Sequence, residues 1–310
     1  MVYINNMDTV KPILKWVGGK TQILDTLFAN FPKEINNYHE PFLGGGSVLL
    51  ALLTSIKSGK IKVSGTINAY DINEPLIFVY KNIQQRHTEL YAILQTIIGE
   101  LNACPEEGTL NRKPKTFEEA TMSKENYYYW CRGRYNSLTA EEKRSSLGSA
   151  LFIFLNKTCF RGVFRLGPNG FNVPYGHYKN PEIINKTHLD EVHQLIQNVR
   201  FECMDFASSM NYIGVGDYVY LDPPYAPETA TSFVGYTENG FGIEKHNQLF
   251  ECIHKIAEKK VRFMMSNADV AMVRSNFQDG VYKTETILCR RAIHSKKPES
   301  KTNEVLITNY

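Results

Sequence analysis

The stretch that most constrains this chain is YVYLDPPYAP, residues 218–227. Tyr218, Val219, Tyr220 and Leu221 form a short β-prone apolar run, and Pro223 and Pro224 end it because neither can donate to a sheet ladder. A strand therefore stops at Asp222. In an open α/β sheet the ligand crevice lies beyond the carboxyl ends of the strands, so Asp222 and Tyr225 are expected to project into it. The two prolines hold the backbone extended, and the Pro223 carbonyl has no N–H of its own residue to compete with. A carboxylate, a fixed carbonyl and an aromatic face thus lie side by side, a set that suits an amino group on a flat ring. The same residues are also compatible with a strand, a Pro-Pro turn and a surface tyrosine that bind nothing.

Two earlier segments favour a ligand. KPILKWVGGK, residues 11–20, sets Trp16 before a Gly18-Gly19 turn and Lys20, so that backbone N–H groups and one positive charge can approach an anion or ligand. By itself a Gly-Gly turn says little, and the spacing is not that of a P-loop. In NYHEPFLGGGS, residues 37–47, a strand leads through Phe42, Gly44 and Gly46 to Ser47 as N-cap of a helix over 48–57. A second strand, 66–70, ends at Asp71, where doubly wound sheets bind ribose hydroxyls. The combination points to an adenosine-containing cofactor, and the missing GxGxxG argues against a dinucleotide. A later strand, 199–204, ends at Asp205-Phe206, an acid and an aromatic suited to an adenine amino group and ring face.

Between these parts the periodicity predicts a helix over 74–101, an exposed excursion over 102–115 and a second helical block over 124–155 whose tyrosines pack within it. NKTCFRGVFRLGPNGFNVPYGHY, 156–178, alternates apolar and polar residues about a Gly-Pro-Asn-Gly turn, which predicts a β-hairpin with arms 158–166 and 171–175. It carries Lys157, Arg161, Arg165 and His177, and a basic two-stranded ribbon can enter a DNA major groove. Beyond it come a helix over 185–198, a mobile loop over 229–242, a helix over 244–259, a strand over 261–266 and a helix over 268–277. Two last strands, 281–289 and 304–308, flank a basic interval, 290–301, that holds Arg290 and Arg291 and suits phosphate contact.

The balance of 35 Lys and Arg against 32 Asp and Glu, net +3, rules out a histone-like polycation but permits a local basic face. No apolar run approaches the length of a membrane span and no signal peptide is evident, so an intracellular protein is expected. The six cysteines are dispersed with no CxxC pair, which predicts reduced, unligated thiols; Cys159, Cys203 and Cys289 read as small buried hydrophobes.

Taken in order, KWVGGK, EPFLGGGS, Asp71, CFRGVFR with FNVPYGHYK, YLDPPYAP and the late MSN at 265–267 resemble the Dam-type N6-adenine DNA methyltransferases, the D12 class of the alpha group. The resemblance spans nearly the whole chain. It implies an α/β fold: a doubly wound, mostly parallel Rossmann-like methyltransferase sheet with a helical and β-hairpin target-recognition insert. The catalytic domain would comprise 1–73 and 186–310 and the insert 74–185. S-adenosylmethionine would be the methyl donor, with no metal. Trp16, Lys20, Phe42, Gly44, Gly46, Asp71, Asp205 and Asp222 would line its site, and Asp222, Pro223, Pro224 and Tyr225 would hold a flipped adenine. Lys15, Arg161, Arg165, Pro174, His177, Arg290 and Arg291 would contact double-stranded DNA. Arg165 and Pro174 match members that read GATC, whereas Arg161 stands where many have Asn and His177 where a longer basic residue is common; GATC is the first expectation and CATG or another AT-centred tetranucleotide the next. The resemblance further implies a cytoplasmic monomer or weak dimer, in a bacterial cell or the host of a virus, with a cognate restriction endonuclease as a potential partner.

Overall fold

The computed structural model describes residues 9–227, 240–290 and 301–310; the side chains of Cys289, Arg290, Lys301 and Thr302 fall outside the description. Arg291 and most of the expected 229–242 loop and 290–301 basic interval therefore lie outside the described residues, as does the side chain of Arg290.

Among the described residues seven strands form the central sheet: β1 Tyr38–Glu40, β2 Ile67–Asp71, β3 Val199–Cys203, β4 Tyr218–Leu221, β5 Arg262–Ala268, β6 Lys283–Arg290 and β7 Lys301–Thr308. Their spatial order is β3-β2-β1-β4-β5-β7-β6. The first five are parallel, and β7 runs antiparallel to both its neighbours. Strand order reverses between β1 and β4, so their carboxyl ends, and those of β2 and β5 beside them, open onto the crevice of a doubly wound sheet.

Burial on both faces explains why these strands read as continuous apolar runs. Tyr218 and Tyr220 of β4 enter one hydrophobic cluster, whereas Val219 and Leu221 enter another on the opposite face. Met264 of β5 and Leu306 of β7 join the first cluster; Phe263, Met265, Val305 and Ile307 join the second. The first face is covered by α1 Leu24–Asn30, α2 Ser47–Lys57, α3 Glu74–Ala103, α7 Ser146–Thr158 and α8 Lys186–Leu195, and the second by α10 Ile243–Glu258 and α11 Ala271–Asn276.

Several elements differ from the sequence reading, each for a local reason. Ser47 is not an N-cap: Gly46 holds that position in the left-handed region, φ +75°, and Ser47 begins α2 with its hydroxyl turned to the Lys20 N–H at 3.1 Å. Asp71 belongs to β2 rather than following it. The helical block 124–155 is broken into α5 Lys124–Ser137, α6 Ala140–Arg144 and α7, after the short α4 Phe117–Thr121. Thr139 and Glu142 form a capping box that starts α6, and Ser145 caps α7 through the Gly148 N–H at 3.3 Å, so local caps override the shared periodicity. Tyr127, Tyr128, Tyr129 and Tyr135 are buried in that block, as expected.

The predicted hairpin is largely irregular. Thr158 ends α7, residues Phe160–Gly162 form a 3-10 turn with Arg161 at φ +57°, and ladder pairing is confined to Leu166–Gly167 against Gly170–Phe171 plus one bridge, Cys159 to Tyr175. The return helix is shorter than expected, α8 ending at Leu195, and α11 begins three residues later than read because β5 extends to Ala268. Cys203 is exposed, contrary to expectation, since it ends the edge strand β3, while Cys159 is buried. Among the described residues, no helix is long and apolar enough to cross a membrane.

Candidate active site

Lys20 organises the site. It is 5% exposed, and its ammonium lies 2.7 Å from each carboxylate oxygen of Asp222 and donates to the Gly18 carbonyl at 2.8 Å. Gly18 turns its carbonyl inward at φ +83°, a conformation that favours glycine. Asp222 follows β4, where the proline pair ends the ladder, and sits opposite the KWVGGK segment. Burial pushes the Asp222 carboxyl above its ordinary range; Lys20 pulls it back by charge and hydrogen bond, and Glu304 opposes Lys20.

Pro224, Tyr225 and Ala226 are held from three elements. His246 of α10, fully buried, reaches the Pro224 carbonyl through Nε2 at 3.0 Å. The Tyr225 hydroxyl donates to Glu304 Oε2 of β7 at 2.5 Å. The Ala226 N–H donates to Oδ1 of the buried Asn267 at the end of β5, at 2.9 Å. The Lys20 ammonium stands 5.0 Å from the centroid of the Tyr225 ring.

On the β1 and β2 side, Asp71 accepts the Gly44 N–H at 2.9 Å and the Asn73 N–H at 2.8 Å. Burial pushes its carboxyl up to about 6 against these backbone bonds. The glycine loop is tight on its inner side: a Cβ on Gly46 would fall 2.4 Å from the Tyr80 hydroxyl, and one on Gly45 2.8 Å from Trp16 Cβ. Trp16 lies along the loop, and with Pro12, Leu14, Gly19, Thr21, Gln22, Gly45 and Ser47 it lines a cavity of 280 Å³. Phe42 stacks on Phe206 at 5.6 Å and meets Phe241 edge-on at 5.9 Å. Beside Asp71, Ile72 leaves 63% of its surface exposed. Asp205 caps the short helix α9 Phe206–Ser209, accepting from Ser208 N at 3.0 Å and Ser208 Oγ at 2.7 Å. Those bonds lower its carboxyl against the opposing effect of burial.

Lys15 ties this site to the insert. Its backbone exchanges hydrogen bonds with the Asn156 side chain, 2.8 Å in each direction, and its ammonium lies 4.0 Å over the Tyr178 ring. Of the residues expected at DNA, Arg161, Arg165, Pro174 and His177 are all exposed on one segment. The segment is closed by the Phe160 N–H to the Pro174 carbonyl, 2.8 Å, and by Tyr178, whose hydroxyl accepts the Arg161 N–H at 2.8 Å. Arg165 is aimed by Asn172 Oδ1 at 2.7 Å.

The structure thus joins Lys20 to Asp222 and Ser47, Asp71 to Gly44, Trp16 to the glycine loop and Phe42 to Phe206, with Asp205 at the neighbouring strand end. Reading the sequence missed Glu40, His246 and Glu304. Glu40 is 2% exposed, takes the Tyr38 hydroxyl at 2.6 Å and is pushed up to about 8 by burial. Among the described residues no cluster of three or more His, Cys, Asp or Glu is arranged to hold a metal ion.

The family model for D12 class N6 adenine-specific DNA methyltransferases matches residues 16–295. The chain is 35% identical to the type II methyltransferase M.MjaIII of Methanocaldococcus jannaschii, over 97% of this chain and 99% of that protein. It is 29% identical to M1.LlaDCHI of Lactococcus lactis, over 98% and 97%, and 31% identical to the DNA adenine methylase of Escherichia coli, over 97% and 95%.

Proposed function

Because the chain belongs to the D12 class N6 adenine-specific DNA methyltransferases, we propose that this site methylates N6 of one adenine, flipped out of a short duplex DNA sequence, with S-adenosylmethionine as donor. The observation that carries this reading is the Asp222 carboxylate, fixed by a buried ammonium beside the Tyr225 ring. Flipping a base costs roughly a few kcal/mol, and stacking on an aromatic side chain offsets it.

The donor set fits the cofactor. Asp71 and Asp222 carry two negative charges against the one positive charge of Lys20, which favours a cationic ligand, and the Asp71 carboxylate still has an acceptor position for a ribose hydroxyl after serving the Gly44, Ile72 and Asn73 N–H groups. Phe42 and Ile72 supply apolar faces, and Trp16 closes the glycine loop. When bound, S-adenosylmethionine supplies an electrophilic methyl group.

The remaining work falls to this chain. Asp222 and the Pro223 carbonyl accept the two N6 hydrogens, which draws the nitrogen lone pair out of ring conjugation and aims it. Lys20 occupies one acceptor position on each Asp222 oxygen, and a carboxylate has about four, so each oxygen keeps one for the base. Tyr225 stacks on the ring. The proton released from N6 passes to solvent.

We assign 74–185 as the target-recognition insert, with Arg161, Arg165, Pro174 and His177 facing the duplex and Lys15, Arg290 and Arg291 at its phosphates. GATC is the first assignment for the site and CATG the next. The names of two relatives, both type II methyltransferases, support a cognate restriction endonuclease as partner, and the enzyme would work in the cytoplasm.

The test is Asp222→Ala: methyl transfer to unmethylated genomic DNA, mapped by single-molecule sequencing, is expected to vanish while gel-shift affinity is largely kept. Full activity in that variant would overturn the mechanism.

A further inference from the structure

Among the described residues three contacts hold the 224–226 loop, and two of them clamp backbone while one does not. His246 on the Pro224 carbonyl and Asn267 on the Ala226 N–H fix the path of the chain on either side of Tyr225. They leave the tyrosine's own side-chain torsions free. Glu304 removes that freedom, because its Oε2 accepts the phenol hydrogen bond, 2.5 Å between the oxygens, from a strand on the far side of β5. Phenol-to-carboxylate bonds are charge-assisted and among the strong ones.

This bond also acts on the ring. A phenol that donates to an anion gains electron density in its π face, and such a face attracts cations more strongly. The Tyr225 ring already has a cation near it, the Lys20 ammonium at 5.0 Å. On the reading above, adenine becomes cationic during the reaction. The N6 lone pair forms the new C–N bond, the methyl–sulfur bond breaks with its electron pair left on sulfur, and the base keeps the positive charge until N6 loses a proton.

We propose that Glu304 is a positioning residue for methyl transfer, which acts through the Tyr225 hydroxyl to fix the stacking ring against the target base and to enrich its face as the base turns cationic. The inference rests on the N6-adenine reading.

A double-mutant cycle on the full chain tests it, with kcat and KM for duplex DNA and with fluorescence of 2-aminopurine placed at the target adenine. Glu304→Ala and Tyr225→Phe should each lower kcat about tenfold or more, as expected for one charge-assisted hydrogen bond. The double variant should be no worse than either single one. Glu304→Gln still accepts the phenol proton, so it should restore the stacked, quenched 2-aminopurine signal and the KM for DNA yet leave kcat a few-fold low.

Losses that multiply in the double variant, or a Glu304→Ala enzyme with unchanged kcat and unchanged 2-aminopurine signal, would overturn the proposal alone. A wild-type protein that transfers no methyl group to adenine in DNA would overturn the underlying reading and this inference with it.

Discussion

Replacing Glu40 by glutamine should change how stability depends on pH, and the structure sets both the sign and the size. Glu40 ends β1, buried, with the Tyr38 hydroxyl on one oxygen. Burial pushes its carboxyl from the ordinary 4.5 to about 8; the Tyr38 bond opposes the shift, and the Asp222 and Asp71 charges add to it. An acid with a raised folded-state pKa holds more proton in the folded chain than in the unfolded one, so its contribution is lost as pH rises from 4.5 through about 8. At about 1.4 kcal/mol per tenfold change in proton affinity, the wild type should lose on the order of 4 kcal/mol between pH 5 and pH 8.5 relative to a chain with no titrating group there. Relaxation of the surroundings could halve that to about 2 kcal/mol. The amide of the Glu40→Gln variant would mimic the neutral acid and keep an acceptor for Tyr38. Urea unfolding of both proteins at the two pH values is the assay. With a slope of ~2 kcal/mol per molar urea, the gap between their midpoints should widen by about 1 M or more at the higher pH, the variant being the more stable. A gap that is the same at both pH values would refute the reasoning, because Glu40 would then not be taking up a proton on folding.

Other substitutions probe separate parts of the site. Lys20→Met leaves the Asp222 carboxylate without its counter-charge and should destabilise the chain by roughly 3 kcal/mol at pH 7.5, read by thermal melting. Lys20→Arg should not restore activity, since the ammonium's three donors are all used, on Asp222 Oδ1, Asp222 Oδ2 and the Gly18 carbonyl, and a planar guanidinium cannot reproduce that arrangement; half the wild-type rate in that variant would show that charge alone suffices. Gly46→Ala combines a φ of +75° with a Cβ 2.4 Å from the Tyr80 hydroxyl and should cost about 2 kcal/mol or more, partly relieved by Tyr80→Phe in a double variant. Arg165→Ala should lose roughly 1–3 kcal/mol of discrimination at one base pair if the side chain reads guanine, and an equal loss on all sequences would make it a phosphate contact instead.

What the sequence disclosed followed from local physics. The Pro-Pro stop after β4, the three-glycine turn before α2 and the acid at the end of β2 each act within a few residues, so their places in the fold are legible from the sequence. Glu304 and His246 are not. Each becomes meaningful only when β7 and α10 pack against a loop 22 to 79 residues earlier in the chain, and nothing in EVLI or EKHN marks a residue as a brace. Glu40 stood inside a recognised motif yet looked like an ordinary strand residue, because its burial depends on Tyr38, Tyr80 and Tyr220 closing over it. The hairpin was over-read for the opposite reason. Alternation of apolar and polar residues was present, but Arg161 and His177 adopt positive φ, at 57° and 52°, and interrupt the ladder where the pattern called for strand.

The placement of charge explains why one lysine from the chain's start must meet one aspartate from its second half. On the proposed reading Asp222 has to be ionised to accept N6 hydrogens, since a protonated carboxyl would offer a donor to the very lone pair that must stay free. Burial works against ionisation, and so does the Glu304 carboxylate. An ammonium delivered by a flexible loop would lose side-chain and backbone freedom on each encounter, which would erode the gain. Here Lys20 is held in place through its N–H to Ser47 and its ammonium to Gly18. The same Ser47 begins α2 directly after the glycine loop whose Gly44 N–H donates to Asp71. The parts expected at cofactor and at base are thereby joined through one short run of backbone, so a change that loosens the glycine loop should be felt at Asp222 as well as at Asp71.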